Sequence, residues 1–511
     1  MKKLLTRALL ITLVLVQFAF SQEPVDKKIV AKIKTEGFQN SKAMETLSYL
    51  ADVFGPRLTS SPNIRGSQKW MIEKMREFGI SSPRLEEWGE FGNGWTVENY
   101  SVEMLSPTYD RINAVPLAWS PSTSTTVIGE PMIVTIKSSK DFDKYRGKLN
   151  GKILMNGKIG LDKFNDRFSP LTKRKSNKDL SVDSKAIDPF KGGERYIDEQ
   201  RGWESYLAEQ KAVFKFMRDE GAVALIIPSA FKHGVVRAAG FYETNSNNNL
   251  PAFVISREQY ARIIRLKERK IPVKIKANLK TKFSDDTKGY NIIGEIPGND
   301  PKLKDEIVLL GGHFDSWHGG TGAVDNAANC IAMVEALRIL KAIGTKPKRT
   351  IRVALWSGEE QDYFGSFNYV KKHYGDPKTK VLKKDHKKLS AYYNLDNGSG
   401  RIRGVYLQGN EAVRPIFASY LKPFNYLGAK TVTTLNTGGT DHMVFDAVGL
   451  PGFQFIQDPL DYSTRAHHSN LDVLEAVNPE DVMINAVIVA SFAYHTAMRL
   501  DKLPRKAVPK P

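Results

Sequence analysis

The chain has 511 residues, 41% of them hydrophobic and 26% charged, and a formal charge of +19. That length exceeds one ordinary domain, and that balance can build a large core, which excludes a disordered or fibrous chain. Its basic clusters, KRKSNK at 173–178 and KKDHKK at 383–388, lack interleaved aromatic residues. They read as a solvated basic surface and not as a nucleic-acid site.

In chain order, MKKLLTR is a positive leader, ALLITLVLVQFAF an apolar core and Ala19-Phe20-Ser21 a small-x-small cleavage site before Gln22. Residues 1–21 therefore read as a secretory signal peptide, and a secreted or periplasmic location is expected. The apolar run is short for a membrane anchor, and no later segment is long and apolar enough to span. The lone Cys330 excludes a disulfide framework; it is expected as a buried core thiol.

From Val25 to Glu77 the patterns are helical: KKIVAKIKTEG, KAMETLSYLADVFG and RGSQKWMIEKMREFG, each stopped by a glycine. The turn-rich GPRLTSSPN lies between the last two, and TVENYSVEML alternates as a half-buried strand. We assign 22–120 to the first part of the main domain. The segments TTVIGEPMIVTI, KILMNG, GAVALIIP, LPAFVIS and VKIKANLKTKF are β-rich, the third being a buried strand that follows an amphipathic helix. They define an inserted domain over 121–284, in which the polar, lysine-rich 165–200 is expected to lack regular structure.

Beyond Tyr290 strands and helices alternate: YNIIGEIPG, DEIVLLGGH, NCIAMVEALRILKAIG, RTIRVALWS, GSFNYVKKHYG, LSAYYNLD, VRPIFASYLKPF, GLPGFQFIQD and a last helix from PEDVMINAV. This predicts an α/β domain over 285–503, a three-layer, mostly parallel sheet flanked by helices. His313 and Asp315 follow IVLLGG, Glu359 and Glu360 follow IRVALWSG, and Asp396 follows LSAYYNL. Ligands of parallel sheets bind at carboxyl strand ends, so these groups converge on one rim. Asp325, in a small-residue turn, and His467-His468 near the last helix join them. Histidine nitrogen with carboxylate oxygen suits zinc, and so many groups exceed the needs of one catalytic ion. They fit two ions and a base: in Glu359-Glu360 one carboxylate can bind metal while its neighbour takes a proton.

The series GGHFDSW, GAVDN, SGEEQDYFGS, NLDNGSG and HHSNLD resembles the secreted zinc exopeptidases of the bacterial leucyl aminopeptidase and carboxypeptidase Q type. The likeness covers about 290–475 closely, with GPRLTSSP consistent, and 121–284 is similar, more loosely, to that family's protease-associated insert. It implies two Zn2+ per chain, with Asp325 bridging. His313 and Asp396 would hold one ion, and Glu360 and His468 the other, His468 being chosen over His467 because it begins HSNLD. Glu359 would be the general base, and Asp315 would orient the His313 ring. A cis peptide after Asp325 is implied as well. Asp441 and His442, in the loop TGGTDH, resemble a substrate-contacting stretch of the aminopeptidases. His318, His373, His386 and His495 are assigned to surface or core, with His318 nearest the cleft.

The activity so implied is hydrolysis of terminal bonds of short peptides or dipeptides, with no nucleic-acid partner; oligomeric state is unread, a homodimer being compatible. Two alternatives belong beside it. Glutaminyl cyclase relatives share the fold with one zinc, but the intact His313 and Asp396 speak against that. Receptor-like proteins on a dead peptidase fold lose ligands, and none is lost in this sequence.

Overall fold

A computed structural model of the protein describes residues 23–157, 159, 170–245 and 248–508; the expected signal peptide lies outside them. The centre is an eight-stranded sheet in the order Ser81–Glu90, Lys288–Ile296, Thr350–Trp356, Ile307–His313, Leu389–Asn394, Gly452–Gln457, Ile402–Tyr406 and Thr431–Thr433. Its middle four strands run parallel to one another, and antiparallel strands close the Ser81 edge. The strand Ile402–Tyr406 runs antiparallel to its neighbour Gly452–Gln457 and parallel to Thr431–Thr433. The sheet is thus mixed, with a parallel heart.

Two helical layers explain why the middle strands read as unbroken apolar runs. Val308, Leu310, Val353, Leu355, Ala391 and Tyr393 face the helices Lys27–Gln39, Ala328–Ala342 and Pro479–Met498. Ile307, Leu309, Ala354, Trp356 and Tyr392 face Phe364–His373 and His442–Asp446 on the other side. Among the described residues only Pro479–Met498 has the length and hydropathy of a membrane span. It lies in the core, capped by Asn478, whose side chain accepts from Asp481 N.

A second lobe holds two sheets. One has the order Ala114–Pro116, Ala252–Ile255, Ala224–Pro228, Ile153–Asn156 and Pro131–Val134, parallel except at the first pair. The other is antiparallel: Asp110–Arg111, Gly94–Ser106, Lys274–Ser284 and Val127–Gly129. Three sequence expectations shift here. The strands at 94–106 and 114–116, placed with the N-terminal part of the main domain, pair instead with strands from 121–284. TTVIGEPMIVTI is divided between the two sheets at Glu130. Within 165–200, helices occupy Asn177–Ser184 and, from Tyr196, the first turn of Tyr196–Asp219. The Ser176–Asp179 capping box and the burial of Tyr196 against Tyr363 order what composition alone reads as loop.

The glycine stops also differ in kind. Gly79 and Gly344 take positive φ beyond their helices, as a C-terminal cap requires. Gly37 instead lies inside Lys27–Gln39, where a Cβ would meet Val487 Cγ2 at 2.3 Å. Its role is close packing against the last helix.

Candidate metal centre

Three adjacent parallel strands deliver the site. His313 is the last residue of Ile307–His313, Glu359 and Glu360 follow Thr350–Trp356, and Asp396 follows Leu389–Asn394. The two glycines before His313 let the neighbours close in: a Cβ on Gly311 would lie 2.7 Å from Ala354 O. On Gly312 it would lie 3.1 Å from Leu395 O and 3.2 Å from Asn326 Nδ2. The rim expected from strand order is therefore real, and narrow.

His313 Nε2 lies 3.2 Å from Asp325 Oδ1, 3.3 Å from Asp396 Oδ1 and 4.0 Å from Glu359 Oε2. On the far side of Asp325, His468 Nε2 lies 3.4 Å from Asp325 Oδ2 and 2.9 Å from Glu360 Oε2. One carboxylate thus addresses two donor groups, one with each oxygen. His467 Nε2 comes only to 4.0 Å from Asp325 Oδ2, so His468 is the better placed of the pair. His313, Asp325 and Asp396 form one cluster able to hold a cation, and Asp325 with the two histidines another.

Electrostatics point the same way. Burial alone would discharge His313, yet Asp396, Glu359 and Asp325 hold its pKa well above the ordinary value. Burial, with added repulsion from neighbouring carboxylates, raises Glu359 and Glu360 well above the usual range. Burial lowers His468 and His467 to about 4, which keeps both rings neutral and able to donate a lone pair. Asp325 Oδ2 and Glu360 Oε1 are buried without a hydrogen bond. Unpaired carboxylate oxygens facing neutral imidazole nitrogens fit divalent cations, and this donor set suits zinc.

The supporting shell departs from expectation at Asp315. The His313 ring is fixed by the main-chain oxygen of Asp315, 3.0 Å from Nδ1, whereas the carboxylate stands 3.9 Å away. That carboxylate accepts from the amides of Glu359 and Glu360, each at 3.3 Å, and from Thr59 Oγ1 at 3.1 Å. Asp315 therefore fixes the turn carrying both glutamates as well as the ring. Asp472 does the same for the bridge, Oδ1 accepting from Val324 N at 2.6 Å and Asp325 N at 3.3 Å. The peptide between Asp325 and Asn326 is cis. Arg57 threads between these loops, donating to Phe314 O, Gly55 O, Thr321 O and Gly322 O at 2.8–3.1 Å. The sequence signals for Asp472 and Arg57 were their motifs, HHSNLD and GPRLTSSP; their tasks were not legible.

The other expected residues are placed as follows. His442 is fully buried, with Nε2 3.0 Å from Thr437 O and against Gln408, and burial lowers it to about 3. It does not line the cleft. Asp441 is buried, its charge adds to the upward shift of Glu359, and burial raises its own pKa to about 8. His318 turns away from the cleft, 2.8 Å from Pro116 O, and leaves Trp317 as the wall. Cys330 is a core thiol that donates to His313 O at 2.9 Å. The cleft itself, about 650 Å³, is roofed by Gln200, Trp203, Tyr206 and Leu207 of the helix Tyr196–Asp219. Glu199 of that helix accepts from Tyr363 Oη at 2.7 Å and Gly439 N at 3.2 Å, tying roof to floor.

Residues 291–493 match Peptidase family M28. That segment carries the domain of the family, and the chain is a metallopeptidase of the exopeptidase kind. Carboxypeptidase Q of Homo sapiens is 25% identical over 94% of this chain and 90% of its own length, and that of Rattus norvegicus gives the same figures. Among solved structures, a Peptidase M28 precursor from Shewanella amazonensis superposes with a TM-score of 0.67 at 24% identity, covering 94% of this chain and 99% of the other. That likeness, extending through the second lobe, concerns the fold.

Proposed function

We propose that the protein is a co-catalytic di-zinc exopeptidase that hydrolyses terminal bonds of short peptides or dipeptides, as the similarity to carboxypeptidase Q suggests. The observation that carries the reading is Asp325, whose two oxygens face His313 on one side and His468 on the other at 3.2 and 3.4 Å. His313 and Asp396 would hold one zinc, and Glu360 and His468 the other. Zinc, when bound, supplies the Lewis acidity that polarises a carbonyl and acidifies water.

The chain's own residues supply the rest. Glu359 sits 4.0 Å from His313 Nε2 in a buried setting that raises its proton affinity. A base so tuned takes the proton of the attacking water and returns it to the leaving amine. Asp315, through the amides of Glu359 and Glu360, holds the base and its ligand neighbour at fixed separation. The inserted lobe, proposed over 121–284 and protease-associated in type, closes one side of the cleft and restricts substrate length. The leader 1–21 would be removed on export, giving a secreted or periplasmic enzyme whose chain starts at Gln22.

Metal counting by mass spectrometry tests the centre: about two zinc ions per chain are expected, and one or none overturns it. Glu359→Gln should keep both ions while lowering kcat about 10²–10⁴-fold, the usual contribution of a general base. Wild-type turnover in that variant would remove Glu359 from the mechanism.

A further inference from the structure

The loop that presents His468 is held from outside by chain far away in sequence. It begins where the strand Gly452–Gln457 ends, passes through Asp458 and the single turn Tyr462–Ala466, and delivers the two histidines. Among the described residues, the hydrogen bonds that leave 459–466 for anything beyond the adjoining 467–469 go to residues 171–173. Lys173 N donates to Leu460 O at 2.8 Å, Thr464 Oγ1 donates to Leu171 O, and Arg465 Nη2 donates to Thr172 Oγ1 at 3.0 Å.

Arg174 anchors that stretch. Its Nη1 donates to Asp458 Oδ2 at 2.9 Å and to Asp481 Oδ2 at 2.7 Å, both carboxylates being fully buried. The amide of Lys175 adds a bond to Asp458 Oδ1 at 2.8 Å. Asp458 opens the ligand loop and Asp481 lies in the first turn of the last helix, so one guanidinium ties 171–175 to both. Each carboxylate also has an arginine of its own, Arg403 for Asp458 at 3.0 Å and Arg401 for Asp481 at 2.7 Å. Neither buried charge depends on Arg174 for its neutralisation. The distinct effect of Arg174 is to set 171–173 against the loop.

The loop has an unfavourable geometry to maintain. His468 has φ +56°, a left-handed conformation that side chains disfavour. Its Nε2 must stay beside Glu360 Oε2, at 2.9 Å, and Asp325 Oδ2, at 3.4 Å. His313 and Asp396 instead follow from paired strands inside the sheet, whose ladders fix them. The two halves of the centre thus differ in what keeps them in place.

We propose that Arg174 is a positioning residue for the second zinc ion. By fixing 171–175 against the loop it sets the affinity of the Glu360–His468 half of the centre and leaves the His313–Asp396 half alone. The inference rests on the di-zinc reading above and makes one ion depend on a segment outside the ligand motifs. The same segment runs on to the roof helix Tyr196–Asp219, with Asn436 N donating to Pro189 O at 2.8 Å on the way. Roof and second ion therefore share one mounting.

The experiment titrates zinc from the full chain with a competing chelator and reads the two affinities separately. In Arg174→Ala one ion should bind about tenfold to a hundredfold less tightly, the range seen when a group that orients a ligand is lost. The other ion should keep its wild-type affinity. Arg174→Lys should recover part of the loss, because a point charge still reaches one carboxylate. In a His468→Ala background, where the second site is already lost, Arg174→Ala should leave the remaining ion's affinity unchanged. A merely structural role would weaken both ions and persist in that background; either result overturns the assignment, as does unaltered affinity for both ions. Should Arg174→Ala not fold, Thr464→Val removes the bond to Leu171 O and should weaken the same ion about fivefold, the worth of one hydrogen bond. Unchanged affinity in that variant also overturns the assignment. If wild type binds one ion or none, the di-zinc reading itself fails, and the assignment of Arg174 falls with it.

Discussion

Arg57→Lys tests whether the metal centre is held from the far side of the loops that carry its ligands. Arg57 is fully buried, and its planar fork donates to four main-chain oxygens, those of Phe314 (2.8 Å), Gly322 (2.8 Å), Thr321 (2.9 Å) and Gly55 (3.1 Å). Phe314 and Gly322 flank the segments bearing His313 and Asp325. Lysine keeps the charge but offers a single nitrogen, which can serve about two of four oxygens spread around a guanidinium. Each buried carbonyl left unpaired costs about 1–2 kcal/mol, so the loss is about 2–4 kcal/mol. That is a large share of the ~5–15 kcal/mol stability of a typical domain. Calorimetric scanning of the zinc-free protein should show Tm lower by about 5–10 °C. Zinc titration should show weakened affinity, because the loops must be ordered on binding. A Tm within 1 °C of wild type, with unaltered affinity for zinc, would refute the argument that this side chain fixes the loops.

His468→Ala should lower bound zinc from about two ions per chain to about one, read by mass spectrometry, since His313, Asp325 and Asp396 remain. Glu86 is held at about 2, burial being outweighed by His373 at 2.5 Å and Lys372 at 3.1 Å. A depressed carboxylate stabilises above its ordinary pKa of about 4.5 and loses that effect as pH falls toward 2. Glu86→Gln should therefore cost about 2 kcal/mol near pH 6, and the gap from wild type should shrink to less than half by pH 3 in denaturant titrations. Gly322→Ala should cost about 2–3 kcal/mol in the same assay. It imposes φ +67° on a side chain and sets Cβ 2.3 Å from Ser316 Oγ. The Cys330 thiol, buried and pushed up to about 12 by that burial, should give no reaction with a thiol reagent in native protein and one equivalent in denaturant.

The parts of the site visible in the sequence are those that obey local rules. A buried parallel strand reads as an apolar run, and polar groups at its carboxyl end lie on the rim, so His313, Glu359, Glu360 and Asp396 declare themselves as candidates by position. Strands that break the rule were hidden: Ser81–Glu90 is half-exposed at the sheet edge and written SSPRLEEWGE, with no apolar run to find. Ile402–Tyr406 and Thr431–Thr433 are too short to carry a period. The hydrogen bonds of Asp315 were hidden for a different reason. A carboxylate two residues past a ligand can turn to the ring or to the next strand, and only the close approach of the Glu359-Glu360 turn decides between them.

The deeper limit lies in pairings that cross the chain. Arg237 and His468 are 231 residues apart and Glu199 and Tyr363 are 164 apart, yet each pair meets at the cleft. Their segments share no pattern that could announce the meeting, because a roof is specified by fit to a floor built elsewhere. The ligand motifs fix a hydrolytic centre and leave its substrate open. The roof comes from the second lobe, whose helix Tyr196–Asp219 covers the cleft and meets its floor through Glu199.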